Sequence, residues 1–201
     1  MKPAVAWICG VAMIVAAGFV AAATPDGEQR ITDAFRTPTT VGRLTESDGL
    51  AVRVNDLQLA DGLSYGGWRA EGTWLVVALD AWVTRTETGG VLGRAYLTVG
   101  ERTYLASERP RSYAQAATID GFGLHVGTPR SGELVFELPA EVTAAPGADH
   151  AVLQLSSGTA LPGLSPTENQ QGAAVIELTV DLTTLPRVDD HALTGATWGT
   201  P

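Results

Sequence analysis

The sequence predicts an all-β domain, an antiparallel sandwich of about eight strands. Three observations carry this expectation. Short apolar–polar alternations with period two recur through the middle of the chain. Breaks containing glycine, proline and aspartate separate them, and 23 glycines and 11 prolines supply the turns. No amphipathic helix of useful length stands out, and Ser112–Thr118 offers two turns at most.

A run of another kind precedes these strands. Lys2 is followed by uncharged, mostly apolar residues from Pro3 to Ala23. A membrane-crossing helix needs about 20 such residues, and the run supplies them. A cleavable signal peptide has a shorter apolar region, about 7–15 residues, ending in small residues. Ala21-Ala22-Ala23 before Thr24 satisfies the second condition, so transmembrane anchor and signal peptide both stand; length favours the anchor. Lys2 precedes the run while Asp26 and Glu28 follow it, which orients the remaining chain out of the cytoplasm. Cys9, the single cysteine, lies early in this run after Ile8, the wrong place for lipidation, and reads as a small apolar helix residue. The rest of the chain has no cysteine, so no internal disulfide staples it.

Four regions are expected: the anchor or signal over 1–23, a linker over 24–40, the sandwich over 41–182 and an irregular tail over 183–201. The linker is polar, with two prolines and no periodicity. Val41–Leu44 reads as a short edge strand. In Leu50–Leu59, Val52 and Val54 alternate with Arg53 and Asn55 before the phase slips at Asn55-Asp56, the signature of a bulge. Thr73–Thr84 is the strongest strand: Leu75, Val77, Leu79, Ala81 and Val83 share one face, and Trp74, Val76, Ala78, Asp80 and Trp82 the other. Apolar character on both faces predicts a central strand with partial cover outside. Arg94–Val99 and Thr103–Ala106 form a hairpin about Gly100-Glu101-Arg102. Glu133–Leu138 alternates and ends at Pro139, and Ala151–Leu155 and Ala174–Leu182 complete the series.

The segment Gly127–Pro139 (GTPRSGELVFELP) resembles a signature of exported bacterial immunoglobulin-like domains of unknown function, found in actinobacteria and firmicutes. Gly72–Thr84 resembles a second strand of that family, and Val99–Ala106 resembles its hairpin, in which Tyr104 faces the core. The likeness spans roughly Val41 to Leu182. It implies an immunoglobulin-like sandwich, similar in kind to small secreted mycobacterial antigens, and implies no reaction. The chain lacks the lipobox that many members carry.

Composition narrows function further. The formal charge is −9, which disfavours nucleic acid and anionic headgroups as partners. His125, His150 and His191 are not spaced as metal ligands, and Asp189-Asp190-His191 reads as a solvated acidic tail. No Gly-x-Ser-x-Gly elbow and no phosphate-binding glycine loop is present. No catalytic residue, metal or cofactor is therefore expected. The loop Asp61–Arg69 displays Tyr65, Trp68 and Arg69, a composition found at interface hot spots, and Trp82 follows on the central strand. These four residues form the candidate interaction surface, with core packing as the alternative for each tryptophan. A second long loop, Ser156–Gly172, is long enough to bind.

The expectation is a non-enzymatic, membrane-tethered extracytoplasmic module that contacts a protein partner of the cell envelope, as an accessory subunit of a membrane complex. The alternative is a secreted domain that binds carbohydrate or another small ligand, with Tyr65, Trp68 and Trp82 as a stacking platform.

Overall fold

The computed structural model describes Met13 and residues 35–85, 90–171 and 173–198. Apart from Met13, the apolar run 3–23 and the linker as far as residue 34 lie outside the described residues. Among the described residues no helix is long and apolar enough to cross a membrane.

The strands are β1 (Phe35–Thr39), β2 (Leu44–Ser47), β3 (Leu50–Tyr65), β4 (Trp68–Val83), β5 (Leu92–Val99) and β6 (Arg102–Leu105). They continue as β7 (Arg130–Leu138), β8 (Ala151–Ser156), β9 (Gly158–Thr159) and β10 (Ala174–Val180), then the short β11 (Arg187–Val188), β12 (His191–Ala192) and β13 (Thr197–Trp198). Two short helices intervene, α1 (Arg109–Tyr113) and α2 (Pro166–Asn169). One sheet has the order β1-β10-β8-β5-β6, with β9 also on β5; the other has β11-β3-β4-β7-β13, with β2 and β12 on β3. Most pairings are antiparallel, as expected; β1–β10, β9–β5, β11–β3 and β12–β3 are parallel.

The two sheets meet through one apolar layer. Leu75, Val77 and Leu79 of β4, Leu134 and Phe136 of β7, Leu97 of β5, Leu153 of β8 and Ile176 of β10 are buried in it. Removing such side chains from water is the main favourable term, about 1.5–3 kcal/mol each. Strand β3 serves this layer along only part of its length. Its register slips between Val54 and Asp56, where the sequence predicts a bulge, and again between Ala60 and Gly62. Each slip moves the apolar set to the other phase. Leu57 and Leu59 thus stay in the inter-sheet layer, while Ala60 and Leu63 join a second buried cluster with Trp74, Val76, Val135 and Leu193. That cluster lies on the face of β4 opposite the inter-sheet layer, which is the outer cover the two-sided apolar pattern predicts.

Three boundaries differ from expectation. Phe35–Thr39, assigned to the linker by composition, is a strand because it adds in parallel to the edge of β10. Val41–Leu44 is not an edge strand: Val41 and Gly42 form a turn, Gly42 at φ +80°, and pairing with β3 begins at Leu44. The region from 183 onward is not an irregular tail through residue 198. It carries β11, β12 and β13 and lays Leu193 over Trp74 and its neighbours. Its breaks at Pro186 and Gly195 hide strands too short to show period two.

Candidate binding cleft

The aromatic residues singled out by composition do not form one platform. Asp61–Arg69 is not a loop but the end of a hairpin, closed by Gly66-Gly67 with Tyr65 paired to Trp68. Gly66, at φ +57°, provides the left-handed residue that a two-residue hairpin turn requires. Tyr65 and Trp68 are half-buried against the second cluster, and Arg69 Nη2 lies 3.5 Å from Asp190 Oδ1. Trp82, also half-buried, pairs with Ala51 near the far end of β4. Fourteen residues of strand place it on the order of 40 Å from Trp68. Trp74, by contrast, is wholly buried in the second cluster. The stacking platform of Tyr65, Trp68 and Trp82 is therefore ruled out by distance, although Tyr65, Trp68 and Arg69 stay together at the hairpin tip. Tyr113 of α1, 55% exposed, extends that tip, its hydroxyl close to Gly67.

His191 is not part of a solvated tail either. Its Nε2 lies 2.7 Å from Glu133 Oε1 and its Nδ1 2.6 Å from Gln58 Nε2. One tautomer satisfies both contacts, donating at Nε2 to the carboxylate and accepting at Nδ1 from the amide. Glu133 is buried and also accepts from Thr194 N at 2.9 Å and Thr194 Oγ1 at 3.2 Å. This set ties the C-terminal strands to β3 and β7. Among the described residues no group of three or more metal-type side chains could hold an ion.

A concavity with polar walls lies on the outer face of the sheet that contains β5 and β6. On β5 and β6, Ala95, Leu97 and Tyr104 face the core, so Tyr96, Thr103 and Leu105 point the other way. They floor a cleft of about 450 Å³. Glu108 at the start of α1, Arg111 within it and Asp120 of the following turn form one wall; residues 159–164, Pro166 and Asn169 form the roof. The roof is the second long loop of the sequence, and it is more ordered than its composition implies. Ser165 caps α2 in a reciprocal box with Glu168, and Asn169 braces Leu161 and Leu164 through three hydrogen bonds of 2.7–3.3 Å. Leu105, Leu161 and Leu164, each at least 43% exposed, make an apolar rim.

The floor and wall hold polar atoms that the fold does not satisfy. Tyr96 is 4% exposed and Asp120 6% exposed, and neither Tyr96 Oη nor Asp120 Oδ1 makes a well-formed hydrogen bond, although the Asn169 side chain approaches Tyr96 and the Thr118 hydroxyl approaches Asp120. Leaving such a group unpaired costs about 1–3 kcal/mol. Burial pushes the Asp120 carboxyl above the ordinary value; Thr118 and Arg111 oppose this, and Glu108 adds to it. Thr118 stands beside Asp120, close enough to pull its pKa down, yet its Oγ1 forms no well-aligned hydrogen bond. Arg111 Nε lies 3.7 Å from Asp120 Oδ2 and the same guanidinium pairs with Glu108. Burial likewise pushes the Tyr96 phenol up, against the pull of Arg94 and nearby Asn169. None of these side chains is marked by spacing in the sequence. The weak signal was Asp120 itself, an acid inside the otherwise uncharged stretch Ser112–His125.

No protein-family model matches this chain, and no curated protein does. Two solved structures resemble it. One is an uncharacterized β-sandwich protein from Clostridium difficile 630, at 9% identity and TM-score 0.42, over 74% of this chain and 96% of that one. The other is the yjhA protein from Bacillus subtilis, at 15% identity and TM-score 0.43, over 69% of this chain and 98% of that one. Neither likeness brings a ligand or an activity. The family resemblance drawn from Gly127–Pro139 gains no assignment from them.

Proposed function

We propose that this chain is a non-enzymatic, extracytoplasmic binding module of immunoglobulin-like type that takes its ligand in the cleft above β5 and β6. The observation that carries this reading is the meeting, in one cleft, of an apolar rim with buried polar atoms that the fold leaves unpaired. A volume of about 450 Å³ falls within the usual range for small-ligand sites. The lining offers carboxylates, a phenol and the hydroxyls of Thr103 and Thr159 but no histidine to activate them, which favours holding a ligand over nucleophilic chemistry. The immunoglobulin-like class is supported by the chain's crossings between sheets: β4 to β5, β6 to β7 and β7 to β8 each change sheet, as in Greek-key sandwiches. Export and tethering are supported by the run Pro3–Ala23 and by the single charge ahead of it.

Native mass spectrometry of the full chain, gently extracted from the cells that make it, tests the reading. A retained small molecule is expected in the wild type and is lost in Thr103→Trp, which fills the cleft from an exposed strand position. Equal spectra from the two proteins would remove the cleft as the site. Contact with an envelope protein is the second reading, favoured by exposed Tyr113 beside Tyr65, Trp68 and Arg69 at the hairpin tip. Crosslinking in cells that depends on Trp68 would support it.

A further inference from the structure

The cleft specifies more than the presence of a ligand. The lining carries Glu108 and Asp120 against Arg111, which already faces both acids; Arg94 lies outside the lining, with its Nε held by Thr159 O. Oδ2 of Asp120 looks toward Arg111, whereas Oδ1 is unpaired. Tyr96 Oη, also unpaired, belongs to the same floor. A carboxylate with one free oxygen, in a wall carrying one excess negative charge, calls for a donor that brings positive charge. An anion would meet Glu108 and Asp120 with Arg111 already engaged. The rim is aliphatic, Leu105, Leu161 and Leu164, and suits hydrocarbon better than the faces of a sugar, which stack on aromatic rings.

Access depends on the roof. Asp120 Oδ1 and Tyr96 Oη are shut off from solvent in this conformation. The roof's bracing is mostly internal: Asn169 holds Leu161 and Leu164, and Ser165 caps Glu168. Its ties to β5 lie at its start: the β9 pairing of Gly158 and Thr159 with Leu92 and Gly93, Gly158 N to Val91 O at 2.7 Å and Arg94 Nε to Thr159 O at 3.2 Å. A self-braced segment tied only at its start can lift as a unit beyond Thr159, with β9 left on β5. Lifting it uncovers the floor without disturbing either sheet.

Resting on the cleft as the binding site, we propose that its ligand is a small amphipathic cation, an alkylammonium group, whose nitrogen donates to Asp120 Oδ1 and Tyr96 Oη while its hydrocarbon lies against Leu105, Leu161 and Leu164. The test uses the full chain in lipid nanodiscs, titrated at neutral pH with n-butylammonium, n-butanol and butyrate, with empty nanodiscs as the blank. Chemical-shift changes of cleft amides report binding. Butylammonium is expected to bind at least tenfold more tightly than butanol, with butyrate not binding. Asp120→Asn is expected to bring butylammonium down to the butanol level, and Tyr96→Phe to weaken it severalfold. Thermal melts confirm that both variants fold. Unchanged butylammonium binding in Asp120→Asn, or butyrate binding as well as the amine, overturns the proposal. Equal binding of butanol and butylammonium, blocked by Thr103→Trp, overturns the charge selection and leaves the cleft standing as a binding site. Failure of all three probes, with a Thr103→Trp-sensitive molecule still retained in native spectra, likewise overturns the amine and spares the site.

Discussion

Replacing Glu133 with alanine tests what fastens the C-terminal strands to the sandwich. The Glu133 carboxylate is 5% exposed and receives three donors, all from residues 191–194. Those residues belong to the segment that brings Leu193 over Trp74. A hydrogen bond to a charged group contributes about 1.5–3 kcal/mol, and the three share one acceptor group, so they do not simply add. Removing one side of a buried charged set costs about 3–5 kcal/mol. Glu133→Ala is therefore expected to lose about 4 kcal/mol, and His191→Ala, which leaves Thr194 bonded, about 2 kcal/mol. Because His191 acts largely through Glu133, the double variant should lose little more than Glu133→Ala alone, a coupling of about 1.5 kcal/mol. Urea unfolding of the full chain, followed by tryptophan fluorescence, measures this. At roughly 2 kcal/mol per molar urea, the midpoint of Glu133→Ala should fall by about 2 M. If the single losses add in the double variant, His191 does not act through Glu133 and the proposed tie is wrong.

Two other substitutions separate charge from packing. Asp120→Asn should stabilise the protein at neutral pH, since burial raises the Asp120 pKa. A carboxyl whose folded pKa lies above its unfolded value contributes stability that is complete below the unfolded value of about 3.8 and is lost as pH rises through the folded value. The gain in melting temperature over wild type should thus shrink as pH is lowered toward 4, and a gain independent of pH would contradict the burial argument. Arg130 is buried between Phe122 and Trp198, its guanidinium 4.4 Å and 3.7 Å from their ring centres, and burial lowers its pKa. Arg130→Met keeps the bulk and removes the desolvated charge, so a loss under about 1 kcal/mol is expected, against about 2–3 kcal/mol for Arg130→Ala. Equal losses in the two variants, measured by urea unfolding, would show that cation–π attraction, not packing, holds β13 to β7.

The inter-sheet layer was legible because period two survives wherever a strand has one buried face and sufficient length. Thr73–Thr84, Glu133–Leu138 and Ala174–Leu182 overlap β4, β7 and β10 for that reason, running past β4 by one residue and past β10 by two. Even the slip at Asn55-Asp56 appeared as a phase change in the apolar set. What failed were elements whose strand character comes from a neighbour. β1 exists because β10 offers an open edge, and β11, β12 and β13, two residues each, exist because β3 and β7 do. Composition assigned these to linker and tail, since proline, glycine and polar residues carry no periodicity to read. Similarly, Asp61–Arg69 reads as a loop when glycines are taken as breakers, although Gly66-Gly67 is a hairpin turn that lets β3 and β4 continue almost to their ends.

The site was hidden for a related reason. Aromatic residues in a sequence advertise themselves whether they end in a core or on a surface, and here Trp74 took the core while Tyr65 and Trp68 packed against it. Tyr96, Arg111, Asp120 and Asn169 belong to a strand, two short helical turns and a roof that are separated by up to about fifty residues of other structure, so no local spacing links them. What marks them is an energetic inconsistency visible only in three dimensions. A fold selected for stability alone would place valine or leucine where Asp120 is, just as it does at Ile119 and Leu124 beside it. Keeping a carboxylate there lowers stability at neutral pH, and retaining Tyr96 Oη unpaired adds to that cost. Two such costs in one cleft are hard to reconcile with packing as their purpose, and they become intelligible once a donor enters. Asp120→Asn therefore carries opposite expectations for two measurements on the same protein, a higher melting temperature and weaker amine binding. A purely structural Asp120 would change the first and leave the second untouched.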